Sequence, residues 1–567
     1  MAQISKKIKV IKEIKKFINN NNLDGYIIPK NDNYFTEYSK LNNLFTITKF
    51  TGSAGFCIIL KDINYLFVDG RYTIQAEKQS GKNFKIFEMP YILPKNLQNL
   101  NKKKIGFNPK LFTQNTIENY FENKLNLIPI EFDFKNKKEN KINKLYQLSK
   151  SVTGQSYNSK IQKINNFMKK NKINYIYISA SENVNWLLNI RGKDLPNSPL
   201  VNCKLIITNY GKSFLLIDLN KVPKLIKKLY KNIIICDENS FFTIITNLKN
   251  GNFCIDRSTC SIYEQNIISC KFRITHKDDP IYELKSIKNK TEIRNTLKAH
   301  IEDGVALTKF LYWYKFNKKQ INEKKIERKL ESFRKKSKNY LFPSFDTIAG
   351  SGPNGAIIHY KSNNTTNRII KKKDILLIDS GGQYKWGTTD VTRTISSGKV
   401  EDTIKNNFTR VLKGHIAVAT CNLKKNFNGY LIDKLARKPL RKIGLDYSHG
   451  TGHGVGFFLN VHEGKQGISK FNKVVLKKGM ILSNEPGFYL KNKYGIRIEN
   501  LVFIDQIRNK LFFRNLTFAP IDLDLINFNM LTNKEKKYLF QYHLEVYSKI
   551  SKFLKKSEKK WLVKLIK

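Results

Sequence analysis

The chain has 567 residues, 41% of them hydrophobic and 12% aromatic, which is enough apolar surface for several cores and too much chain for one. Lys and Arg outnumber Asp and Glu by 102 to 46, giving a formal net charge of +56. The excess is mostly lysine spread along the whole chain beside abundant Asn and Ile, three residues with A/T-rich codons, so codon bias accounts for it better than a nucleic-acid groove with interleaved aromatics.

The start, Met1-Ala-Gln-Ile-Ser-Lys-Lys, has no apolar signal core, and residues 4–20 read as an amphipathic helix with a lysine face. A strand over 24–29 follows, then a short helix over 33–40, strands over 55–60 and 65–68, and an Asp69-Gly70 turn. The same order returns downstream. A helix over 160–170, a strand over 174–179, a helix over 182–190 and strands over 204–208 and 213–218 predict a second α/β domain in tandem, with a hinge around 149–158. A third unit opens with helical patterns over 281–317 and 324–336, and the chain finishes with a basic helical pair over 532–567. No apolar run reaches the roughly 18 residues of a membrane span. Seven cysteines, without CxxC pairing, suit a reducing cytoplasm. A cytoplasmic protein is expected, with neither nucleic acid nor membrane as partner.

Five residues of the third unit sit in short apolar or glycine-rich segments of the kind that builds a metal site. Asp379 ends the run Ile375-Leu-Leu-Ile378, Asp390 lies in Gly387-Thr-Thr-Asp390-Val-Thr-Arg-Thr394, and His453 in His449-Gly-Thr-Gly-His453-Gly-Val-Gly456. Glu485 lies in Ser483-Asn-Glu485-Pro-Gly487 and Glu499 in Gly495-Ile-Arg-Ile-Glu499-Asn500. A carboxylate in such a setting needs a cation or hydrogen-bond donors to offset its burial. Four carboxylates and one imidazole suit hard or borderline divalent ions, and carboxylates can bridge two of them. No cysteine lies near, which argues against a structural zinc site.

From Phe345-Asp-Thr-Ile-Ala-Gly-Ser-Gly-Pro-Asn-Gly-Ala-Ile-Ile-His-Tyr360 to Glu499-Asn500, the third unit resembles the catalytic domain of the pita-bread metallopeptidases. Tyr447-Ser-His449-Gly-Thr-Gly-His453-Gly-Val-Gly-Phe-Phe-Leu-Asn-Val-His462-Glu463-Gly464 is similar to the three-domain, cytosolic aminopeptidase P (Xaa-Pro aminopeptidase) branch. Phe50-Thr-Gly-Ser-Ala-Gly55, Val68-Asp-Gly-Arg-Tyr72 and Asn185-Trp-Leu-Leu-Asn-Ile-Arg-Gly192 extend the resemblance over essentially the whole chain. It implies an α/β (α+β) fold with two tandem creatinase-like, ribonuclease-H-like domains, 1–152 and 153–285. A pita-bread catalytic domain with a C-terminal helical extension follows at 286–567.

The resemblance also implies two divalent metal ions, manganese first and cobalt or zinc next. Asp379, Asp390, His453, Glu485 and Glu499 would hold them, with Asp390 and Glu499 bridging. A shared solvent molecule would become hydroxide near neutral pH and attack the scissile carbonyl. Glu485 would also shuttle the proton to the leaving proline nitrogen. His462 would stabilise the oxyanion, and His359 and His449 would shape the proline side. The implied substrates are peptides with proline second, and the implied assembly is a homodimer.

Alternatives remain at this stage. A prolidase-type dipeptidase shares the ligand set, and a non-catalytic peptide-binding module shares the fold. Arg497 could hold Asp390 or another carboxylate, or form a plain salt bridge. Trp186 reads foremost as packing, with a reach toward a neighbouring active site, shared with Arg191, as the other possibility. Gly452-His-Gly-Val-Gly456 reads as close backbone approach rather than a nucleotide loop.

Overall fold

The computed structural model describes residues 2–37, 39, 42–122, 124–134, 142–423 and 427–566. The chain divides into two units, one formed by residues 1–149 and 155–281, the other by 150–154 and 282–567.

The first unit holds two six-stranded sheets. In one, Lys85–Met89, Asn64–Asp69, Phe56–Leu60, Gly25–Pro29, Lys104–Phe107 and Asn126–Pro129 lie side by side in that order. In the other the order is Ile233–Cys236, Ser213–Leu216, Lys204–Thr208, Tyr175–Ile178, Asn252–Ile255 and Arg273–His276. Numbered along the chain, both read 4-3-2-1-5-6. Both are antiparallel where strands 1, 2 and 3 pair and parallel elsewhere. The tandem repetition expected from sequence is therefore a repetition of topology and not only of element order. In both sheets strand 1 is buried on both faces, as the β-branched and aromatic runs Gly25–Pro29 and Tyr175–Ile178 require.

One expected element differs. Residues 33–37 are turn and irregular chain, and the first described helix after the opening strand is Asn43–Thr48; residues 38 and 40 of the expected 33–40 helix lie outside the described residues. The Asp32 carboxylate accepts from the Tyr34 and Thr36 amides at 3.0 Å each and from Thr36 Oγ1 at 2.6 Å. A side chain that binds the local backbone in this way competes with helix formation. Trp186 is buried under the Lys160 ammonium, 3.8 Å above its ring, and Arg191 Nη1 donates to the Asn185 and Ile190 carbonyls, so both pack inside the first unit.

The second unit is α+β. Ile375–Ser380 is the middle strand between Ile348–Ser351 and Val391–Ser396, antiparallel to both. A five-stranded sheet runs Glu463–Ile468, Gly452–Gly454, Ile481–Asn484, Asn500–Ile507, Lys510–Asn515. The expected long helix over 281–317 is two, Ile281–Ser286 and Lys290–Phe316, because Asn289 caps the second one through the Thr291 and Glu292 amides. Helix Asp402–Ala419 buries Ile404, Phe408, Val411, Leu412 and His415, a 3.6-period stripe, against Ile496, Ile498 and the C-terminal helix Asn533–Ile550. Each of the apolar side chains in that stripe contributes about 1.5–3 kcal/mol by leaving water. Among the described residues no helix is long and apolar enough to cross a membrane.

Candidate metal centre

Asp390, Glu485 and Glu499 flank strands while Asp379 and His453 lie within them, and strand register brings the segments toward one another. Asp379 lies opposite Thr392 and Ile348 in the three-stranded sheet, while Asp390 immediately precedes Val391–Ser396. In the five-stranded sheet Asn484 pairs with Asn500, so Glu485 and Glu499 leave the ladder side by side. His453 is the middle residue of Gly452–Gly454, and its amide donates to Ser483 Oγ at 2.9 Å. That strand can lie so close only because residue 452 is glycine, where a Cβ would meet the Ser483 carbonyl oxygen at 2.0 Å. The two sheets are joined beside the site: the Glu499 amide donates to the Thr392 carbonyl at 3.1 Å, and Thr394 Oγ1 donates to the Arg497 carbonyl at 3.0 Å.

Donor atoms of Asp390, His453 and Glu499 lie within 4.8 Å of one another. His453 Nε2 is 3.4 Å from Asp390 Oδ2 and 3.5 Å from Glu485 Oε1. Its Nδ1 sits 2.9 Å from the Gly454 carbonyl, a contact that places the proton on Nδ1 and leaves the Nε2 lone pair facing the carboxylates. Glu485 Oε1 accepts from Ser483 Oγ at 3.0 Å, and Glu499 Oε2 from Thr392 Oγ1 at 2.8 Å.

Asp379 is 8% exposed, Asp390 4% and Glu499 1%, so little water is left to solvate them. Burial, reinforced for Asp390 by Asp379 and Glu485 and for Glu499 by Asp390 and Glu485, pushes both carboxyls well above the ordinary carboxylate range. Asp379 Oδ1, Asp390 Oδ1 and Glu499 Oε1 are buried without any hydrogen-bond donor among the described residues. Orphaned buried oxygens of this kind are costly, and divalent cations are the groups that satisfy several at once. Hard oxygens with one imidazole nitrogen are the donor set such ions take, so the residues present fit a divalent metal centre.

Arg497, 1% exposed, is resolved by geometry in favour of Asp379: Nη2 donates to Asp379 Oδ2 at 2.6 Å. Nη1 donates to the Tyr489 hydroxyl at 2.6 Å and Nε to Thr392 Oγ1 at 3.2 Å. Tyr489 in turn lies 2.8 Å from His449 Nε2, and His449 Nδ1 lies 2.7 Å from the Gly450 carbonyl. The hydrogen-bonded chain therefore runs from Arg497 through Tyr489 to His449. The same guanidinium reaches the Ile358 carbonyl at 3.4 Å, which brings the segment carrying His359 to the cluster. The His462 ring stands nearly perpendicular to that of His453, centroids 4.4 Å apart. Its neighbour Glu463 is locked in a fully buried ion pair with Lys288 and accepts from Gln466 Nε2 at 3.1 Å.

Sequence reading missed Tyr489, Thr392, Ser483 and the Lys288–Glu463 pair. Tyr489 had a faint signal, an aromatic residue on the strand that follows Glu485-Pro486. For the others only the pairing of distant segments reveals a role.

Comparison with known proteins adds an independent line. Residues 294–506 match Metallopeptidase family M24, residues 509–567 its C-terminal region, and residues 11–132 and 136–292 two Creatinase/Prolidase N-terminal domains. The chain is 37% identical to Xaa-Pro aminopeptidase 1 of Dictyostelium discoideum, covering 100% of this chain and 96% of that one. Its fold matches the crystal structure of an X-prolyl aminopeptidase from Caenorhabditis elegans, described as a cytosolic enzyme with a di-nuclear active site. There the TM-score is 0.90 at 28% identity, with 96% of this chain and 95% of that chain covered. A prolidase from Thermococcus sibiricus superposes on 65% of this chain and 100% of its own, with a TM-score of 0.52 and 27% identity.

Proposed function

We infer the reaction from one premise: the chain belongs to metallopeptidase family M24 and, along its whole length, to the Xaa-Pro aminopeptidases within it. It is a metal-dependent aminopeptidase that hydrolyses the bond between an N-terminal residue and a proline in second position. The observation that carries this reading is the convergence of three donorless buried carboxylate oxygens with the clustered donors of Asp390, His453 and Glu499.

In this reading Asp379, Asp390, His453, Glu485 and Glu499 hold two divalent ions, with manganese the ion of choice. Bound there, the ions supply an activated solvent nucleophile at neutral pH and polarise the scissile carbonyl. Glu485, oriented by Ser483 Oγ, takes the proton of the attacking solvent and passes it to the proline nitrogen, an amine that leaves poorly unprotonated. His462, beside His453 and on a segment pinned by Lys288 and Glu463, donates to the carbonyl oxygen as negative charge develops. His359 contacts the proline side. Both ring nitrogens of His449 are engaged by Tyr489 and Gly450, which supports a part in shaping the pocket wall rather than in moving protons. Arg497 holds Asp379 in a single orientation.

Residues 1–152, 153–285 and 286–567 form the three domains in this reading, and the working form is a cytoplasmic homodimer. Seven free thiols accord with a reducing compartment. A prolidase-type dipeptidase is the reading to exclude. With Mn(II) added, Xaa-Pro-Yaa tripeptides are expected to be cleaved faster than Xaa-Pro dipeptides. Preference for the dipeptide would sink the assignment.

A further inference from the structure

Arg393 is a buried cation, 1% exposed, and no ion pair among the described residues includes it. A guanidinium in that position is tolerated only if its N–H groups are all taken up. Here they are. Nε donates to the Pro520 carbonyl at 2.9 Å, and Nη1 to the carbonyls of Thr392 at 2.8 Å and Glu499 at 2.6 Å. Nη2 faces the Ala519 carbonyl at 2.7 Å, Asn500 Oδ1 at 2.8 Å and the Tyr542 hydroxyl at 2.8 Å. Tyr542 lies on the C-terminal helix Asn533–Ile550, and its hydroxyl is 2.7 Å from the Ala519 carbonyl, so it donates there and accepts from Arg393.

One side chain thus ties together three parts of the chain. The first is the strand that begins one residue after Asp390, and the second is the backbone of Glu499. The third is the segment leading into the C-terminal helices, which also closes on Leu501 through the Leu516 amide and on His543 through the Ile521 amide. The carboxylate of Glu499 is held by Thr392, the residue next to Arg393, so the carbonyl and the side chain of Glu499 are both fixed from adjacent positions of one strand.

We propose that Arg393 and Tyr542 form a clamp by which the C-terminal helices position Asp390 and Glu499, so that the tightness of divalent-metal binding is set partly by residues 517–550. This rests on the reading of Asp390 and Glu499 as metal ligands. Neither Arg393 nor Tyr542 faces the reacting atoms; both are positioning residues.

The test uses the full-length protein stripped of metal and titrated with Mn(II) by calorimetry, with thermal unfolding of the metal-free form in parallel. Tyr542→Phe keeps the ring and loses only the hydroxyl, and is expected to bind Mn(II) about 10-fold more weakly. Arg393→Lys keeps the charge but not the fork of donors, and is expected near 100-fold, the range typical of groups that orient metal ligands. The double variant should bind no more weakly than Arg393→Lys alone, because both changes break one clamp. Wild-type Mn(II) affinity in Tyr542→Phe overturns the proposal, whether or not its metal-free melting temperature falls. If Arg393→Lys does not fold, Tyr542→Phe decides alone. Asp390→Asn separates the two readings. Should it bind Mn(II) as well as wild type, the ligand assignment fails; should it lose Mn(II) while Tyr542→Phe does not, only the clamp fails.

Discussion

The floor and the rim of the metal centre differ in how the fold treats charge. Asp379, Asp390 and Glu499 form a floor behind paired strands, buried and short of hydrogen-bond donors, whereas His359, His453, His462 and Glu485 form a half-buried rim. Floor residues sit where the chain must already be rigid: opposite Thr392, ahead of Val391, beside Asn500. Two rim residues each meet a hydroxyl or carbonyl: His453 Nδ1 meets the Gly454 carbonyl and Glu485 Oε1 accepts from Ser483 Oγ. The floor thus carries an electrostatic cost that a cation would remove, and the rim holds the residues proposed to direct bond-making. Arg497 spans the two, holding Asp379 with one nitrogen and, through Tyr489, His449 with another.

The sharpest way to break this division is Asp390→Asn. Replacing a floor carboxylate by a neutral amide should lower kcat/KM on a Xaa-Pro-Yaa tripeptide by at least about 10³-fold, several kcal/mol of lost metal assistance, and lower the bound metal measured by elemental analysis. Full metal content with full activity would show that Asp390 is no part of the centre.

A rim change should behave differently. His462→Gln is expected to cost about 10²–10³ in kcat, the usual loss for one oxyanion donor, with the Mn(II) content of the protein unchanged. Loss of metal together with activity would move His462 into the floor and erase the distinction.

The smallest effect is a stability difference with pH. Burial and neighbouring carboxylates raise the folded-state pKa of Asp390 and Glu499 above their unfolded values. In the metal-free protein their contribution to stability is therefore fully present at pH values below the ordinary carboxylate range, and is lost as pH rises through the raised folded values. Mn(II) offsets that loss, so the gain in melting temperature on adding Mn(II) should grow with pH. Asp390→Asn should flatten this growth and His462→Gln should not. A gain that shrinks with pH in wild type would contradict the assignment of the shifts.

Much of the site was legible before the fold. Asp379, Asp390, His453, Glu485 and Glu499 stand out because an acid or imidazole in an apolar or glycine-rich segment demands compensation, and that demand is written locally. Tandem α/β domains were legible through the order of helices and strands, although the shared 4-3-2-1-5-6 arrangement was not. Over 33–37 the expected helix does not form because the Asp32 carboxylate binds the Tyr34 and Thr36 amides, a local choice that hydrophobic pattern does not register. Sequence left Arg497 to hold Asp390 or another carboxylate, or to form a plain salt bridge; only the approach of Tyr494–Arg497 to the three-stranded sheet selects Asp379.

Residue type and the cost of burying charge in apolar runs were enough to single out, from sequence, the residues proposed to carry the chemistry. Register and crossing of distant strands decided the rest: that Glu485 and Glu499 emerge together, that Thr392 serves both Arg497 and Glu499, and that the C-terminal helices reach the back of the centre through Arg393. The contacts of Thr392 and Arg393 join positions more than a hundred residues apart, so they follow from packing two sheets and their helices around a common core, which no local pattern encodes.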